Sequence, residues 1–107
     1  MAPRTTRFVG PTDLGTSQAL LYTVPSGRAA LLRSLYVSDH GAGLPANFTL
    51  TLNGTSDDRA VWRQVTVAAS GSTNLTVTLP LNAEDRIYGA ASAANRLHIT
   101  LGGYLYG

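Results

Sequence analysis

Residues 47–52, Asn-Phe-Thr-Leu-Thr-Leu, and residues 74–79, Asn-Leu-Thr-Val-Thr-Leu, decide the fold. In each, apolar side chains alternate strictly with Asn or Thr. A period of two belongs to a β-strand with one buried and one wet face, because successive Cβ atoms point to opposite sides of the pleat. Leu97-His98-Ile99-Thr100-Leu101 repeats the pattern. Residues 61–67 follow it with Val61, Val65 and Val67 on one face, although Arg63 falls on that face too. Residues 19–24 (ALLYTV) and 29–38 (AALLRSLYVS) are apolar on both faces, as central strands or strands on an intersubunit surface are. Residues 85–90 make a short strand and 5–9 a weak one. The alternation places Phe48, Leu50, Leu52, Val65, Leu75, Val77, Leu79, Ile87, Leu97 and Ile99 in the core.

The punctuation agrees with short antiparallel strands. Pro25-Ser26-Gly27 and Ser70-Gly71-Ser72 are turns, Asn82-Ala83-Glu84-Asp85 turns into the next strand, and residues 39–45 form a longer loop. Asn53-Gly54 is a hairpin signal, with the polar run 55–59 lengthening the connection. Ala90–Ala94 reads as a loop, being too short to stand as a helix. Residues 1–16, with Pro3, Gly10, Pro11 and Gly15, read as an extended arm. The expectation is an all-β protein: an antiparallel, jelly-roll-like β-sandwich of seven to eight strands over 17–107, preceded by the arm over 1–16.

Composition narrows the function classes. At 107 residues the chain is one domain's worth. Only 13% of it is charged, against a usual share of about 25%, and the net charge is +2 with no lysine. That is not the dense basic surface nucleic-acid binding needs. With no cysteine there is no disulfide, thiolate metal site or thiol nucleophile. No apolar run is long enough for a transmembrane helix, and the N-terminal residues lack the apolar segment of a signal peptide.

No catalytic constellation emerges. A zinc site would need both imidazoles, His40 and His98, with carboxylates such as Asp39, and solvated histidines are the simpler reading. Asp57-Asp58 and Glu84-Asp85 read as turn chemistry rather than a glycosidase pair. Ser26, Ser70 and Ser72 are turn serines outside any G-x-S-x-G context. The sequons at Asn47, Asn53 and Asn74 follow largely from Asn/Thr alternation. The expectation is a non-enzyme with no metal and no cofactor. The aromatics point to association instead: Tyr22, Tyr36 and the C-terminal Tyr104-Leu105-Tyr106 are candidate interface anchors, joined by Arg4, Arg7 and Phe8 of the arm.

Two turn motifs carry a resemblance. Tyr22-Thr-Val-Pro25-Ser-Gly27-Arg28 has the form Y-x-V-P-x-G-(K/R), and Leu79-Pro-Leu81-Asn-Ala83-Glu84-Asp85-Arg86-Ile87 approaches L-x-L-x-A-G-D-x-I, with Glu84 where glycine is commoner. With the alternating strands and the closing LHITLGGYLYG, the chain over 17–106 resembles small β-sandwich virion proteins of tailed bacteriophages. The resemblance implies a structural protein of the particle, made in the host cytoplasm. With no shaft or coiled-coil segment here, a decoration protein on the outer head surface, contacting the major capsid protein or other virion proteins, is expected over a tail-fibre or receptor-binding, carbohydrate-binding module. Surplus apolar groups on residues 19–24 and 29–38 add the expectation of a homo-oligomer, with a trimer by analogy with particle proteins at threefold positions.

Overall fold

A computed structural model describes residues 4–39, 45–54, 60–68, 71–93 and 96–106. Eight strands run through them: β1 (Arg4–Asp13), β2 (Ala19–Thr23), β3 (Ala29–Asp39), β4 (Ala46–Leu52), β5 (Ala60–Val67), β6 (Ser72–Leu81), β7 (Arg86–Ala91) and β8 (Leu97–Tyr106). No helix occurs among the described residues. One sheet has the order β1-β8-β3-β6 and the other β2-β7-β4-β5, every pairing antiparallel. Successive strands cross between the sheets except at β4–β5, so the chain traces the two interlocked Greek keys of a jelly roll.

The core lies where the inner faces meet. Phe48 and Leu50 of β4, Ile87 of β7, and Leu97 and Ile99 of β8 are buried as the alternation requires. Leu52, Val65, Leu75, Val77 and Leu79 are half-buried and pack against that core from its margin. Leu32, Leu35 and Val37 join it from β3, the strand whose apolar residues on both faces concealed which set is inner.

One expectation is corrected. Residues 4–13 are not an arm but β1, paired with β8 from Arg4↔Leu105 to Asp13↔His98. Phe8 and Val9 enter the core and Leu14 follows them, 1% exposed. Irregular pairing left this strand readable only as a weak one over 5–9: Arg7 pairs with Gly102 and Val9 with Leu101, so Phe8 is an extra residue, and a second shift falls before Thr12. Such bulges break the period of two on which strand reading depends. The C-terminal Tyr104-Leu105-Tyr106, expected as interface anchors, lie in β8, with Tyr104 38% exposed. They complete β8, which runs between β1 and β3 as far as Ala29↔Tyr106. Gly103 permits this close approach, since a Cβ there would lie 1.9 Å from the Leu31 carbonyl oxygen.

Candidate interaction face

The strand register sorts the sequence-derived residues. Across β8, β3 and β6 the outer face of the first sheet presents rows of side chains: Tyr104–Leu31–Pro80, Gly102–Ser34–Thr76, Thr100–Tyr36–Asn74 and His98–Ser38–Ser72. Tyr36 is 43% exposed and Tyr104 38% exposed. Tyr36 pairs with Thr100, four residues before Tyr104, so the two tyrosines stand about 13 Å apart along the strand direction. Every outward residue of β6 from Ser72 to Pro80 is exposed, giving a row of hydroxyl and amide groups.

Charge on this face is sparse. Arg33 sits at the β3 bulge and donates from Nη1 to the Thr78 hydroxyl at 2.8 Å. Exposed Arg7 lies beside Gly102, and His98 pairs with Asp13 at the opposite end of β1. Tyr106, half-buried, extends the face beyond Ala29. The face therefore combines aromatic rings, hydroxyls and two guanidinium groups on a rigid four-stranded support. Its chemistry suits a broad polar contact.

The remaining interface candidates serve the fold. Phe8 is buried and stacks on Tyr22, ring centroids 4.8 Å apart and planes 19° from parallel, closing the sandwich edge between β1 and β2. Burial raises the Tyr22 pKa above its usual 10.0, with the Arg28 charge opposing the shift. Leu105, opposite inward-facing Ala30, packs against the core. Arg4 contributes its backbone to the β1–β8 ladder.

The titratable groups weighed for chemistry are placed in structural roles or apart. Asp39 and His98 project to opposite faces, since His98 pairs with Ser38 and Asp39 with Leu97. The Asp39 carboxylate, 0% exposed, accepts from Arg96 Nε at 3.1 Å and Nη2 at 2.8 Å. Sequence reasoning missed this pair because its members are far apart in the chain and neither sits in a local motif. His40 and the pair Asp57-Asp58 lie outside the described residues. Among the described residues no three ligand side chains cluster as a metal site would require, and no cavity is present.

The two motif turns meet at one end of the sandwich. Arg28 N–H donates to the Pro25 carbonyl at 3.2 Å and Gly27 has φ +76°, a type II turn with glycine at its third position. Asp85 N–H donates to the Asn82 carbonyl at 3.1 Å and Glu84 has φ +68°, so a side-chain-bearing residue takes the conformation that glycine adopts freely. The turns are tied together: Val24 N–H donates to the Asp85 carbonyl at 2.9 Å and Glu84 N–H to the Val24 carbonyl at 3.0 Å. Asp85 also accepts from Asn82 N–H at 2.8 Å and from Asn53 Nδ2 at 3.0 Å. The Glu84-Asp85 pair is thus turn chemistry.

Protein-family models give no match to the chain, and neither do the curated proteins.

Proposed function

We propose that this chain is a structural protein of a bacteriophage particle, a decoration protein seated on the outside of the head, associating with copies of itself and with the major capsid protein. The observation that supports this reading is the outer face of the β1-β8-β3-β6 sheet. Tyr36 and Tyr104 stand exposed there among Ser, Thr and Asn side chains. Tyrosine gives large contact area at low side-chain entropy cost, and interfaces are enriched in it. The two guanidinium groups add donors for carboxylates or carbonyls of an opposing surface. The paired motif turns, on which the resemblance to small virion proteins rests, lead into β3 and out of β6, two of the strands that carry this face.

Cryo-electron microscopy of the particles of the phage that encodes the chain tests the reading. The expected result is density for the sandwich on the outer head surface. Purified Tyr36→Ser/Tyr104→Ser should then melt as the parent does and fail to rebind stripped heads. Particles without the chain, or density confined to the tail, would overturn the head assignment. A second reading uses the same face: rings flanked by hydroxyls suit stacking and hydrogen bonding to sugars, as in a tail receptor-binding module. Retention on neutral glycans, lost in the double tyrosine variant, together with density at the tail, would favour it.

A further inference from the structure

We propose that the edge of the sandwich formed by β5 and β6 is a self-association surface, where a second copy of this chain seats antiparallel across a twofold axis. The two long edges of the sandwich differ. At the β1/β2 edge the Phe8–Tyr22 stack closes the gap between the sheets and Leu14 is fully buried behind it. At the β5/β6 edge Trp62, Val65, Leu75, Val77 and Leu79 reach the core yet remain only half-buried, and Val61 is exposed beside them. At the β1/β2 edge Leu20 is also exposed and Leu21 half-buried, but among the described residues the longer row of half-buried apolar groups lies at the β5/β6 edge.

Edge strands expose unpaired N–H and C=O groups, and proteins guard them with charge, proline, bulges or short length. β1 carries Arg7 and two register shifts, β2 has five residues, and β5 has Arg63 and a bulge at Gln64, φ +50°. β6 is ten residues long without a charged side chain. Its guards are Pro80 near one end and a bulge where Val77 and Thr78 together oppose Arg33. Ser72–Thr76 remains regular, and no position along the strand carries a charge.

The properties of β6 select a second copy as the occupant. Across a twofold axis a strand meets itself, so a charge on it would face its own like charge, a destabilising arrangement. β6 has none to place there. Its alternation sets Asn74, Thr76 and Thr78 on the outer face and Leu75, Val77 and Leu79 on the inner face. Antiparallel pairing of Leu75 with the copy's Leu79 sets Thr76 against Thr78 and Asn74 against Pro80 on the outer face, with Val77 on the axis, and merges the two apolar margins into one core. The area also suffices. Ten residues span about 33 Å, and the narrowest dimension of the domain is 18 Å. The edge thus offers roughly 600 Å² per copy, or about 1,200 Å² in total, the lower end of the range for stable interfaces. The contact is twofold, unlike the threefold expected by analogy, and it stands whether or not the chain belongs to a particle.

Sedimentation velocity of the purified full chain from 1 to 100 μM, read beside the fluorescence of Trp62, the single tryptophan, tests the proposal. The parent should dimerise, and its emission should shift to the blue with concentration as Trp62 is covered. Asn74→Lys/Thr76→Lys changes two exposed positions, so it should keep the parent melting temperature while weakening dimerisation at least tenfold. A parent that is monomeric at 100 μM, a trimer, or a dimer as tight in the lysine variant as in the parent would each overturn it.

Discussion

Replacing Arg96 tests the physical account of this fold most sharply. The Asp39 side chain is wholly buried at the end of β3, and its carboxylate is held by the fork of Arg96, which is itself 20% exposed. Asp39 N–H also donates to the Gly71 carbonyl at 2.8 Å, so one residue joins β3, the turn before β6 and the start of β8. Arg96→Met keeps most of the apolar stem and removes the charge that compensates the carboxylate. Breaking a buried pair in this way costs about 3–5 kcal/mol. At about 4 °C per kcal/mol for a domain of this size, the midpoint should fall by roughly 12–20 °C.

Asp39→Asn should cost less, because the guanidinium left behind reaches water while the carboxylate left by Arg96→Met does not. Asp39→Leu/Arg96→Met should recover part of the loss, since no charge is then buried. Thermal unfolding followed by far-UV circular dichroism at pH 7 measures all of this. An Arg96→Met midpoint within about 3 °C of the parent at pH 7, or a smaller loss than in Asp39→Asn, would refute the reasoning.

Glu84→Gly should stabilise the protein by up to about 1 kcal/mol, the relief of a positive φ less the entropy of glycine, seen as a higher urea midpoint with unchanged slope. Deleting residues 1–13 should abolish cooperative unfolding, because it removes Phe8 and Val9 from the core and bares the β8 edge; a truncated chain that melts like the parent would show that β1 is dispensable. Tyr22 has a raised pKa in the folded state, so its contribution is complete below pH 10 and is lost as pH rises through the folded value. Tyr22→Phe keeps the stack on Phe8, and its alkaline loss of melting temperature should be smaller than the parent's. Gly103→Ala, which would drive a methyl into the Leu31 carbonyl, should yield little folded protein on expression.

Strict alternation by itself determined three of the strands of this protein and the class of its fold. In β4, β6 and the first half of β8 the apolar face follows from parity, and Phe48, Leu50, Leu97 and Ile99 are buried accordingly, although Thr51 on the opposite parity is buried too. The turns were equally local: Gly27, Asn53 and Glu84 each occupy a positive φ within a stretch that reads as a turn. Tertiary structure decided what parity could not reach. β1 became a strand because β8 offers it a partner across its bulges, and β3 chose Leu32, Leu35 and Val37 as its inner set because the opposing sheet covers only one side. The outer face existed only once β8, β3 and β6 lay side by side, bringing Tyr36 and Tyr104 from separate strands onto one surface. The same distance in sequence hid Asp39 and Arg96. Local periodicity records which way a side chain points along its own strand, whereas long-range pairing decides what it meets.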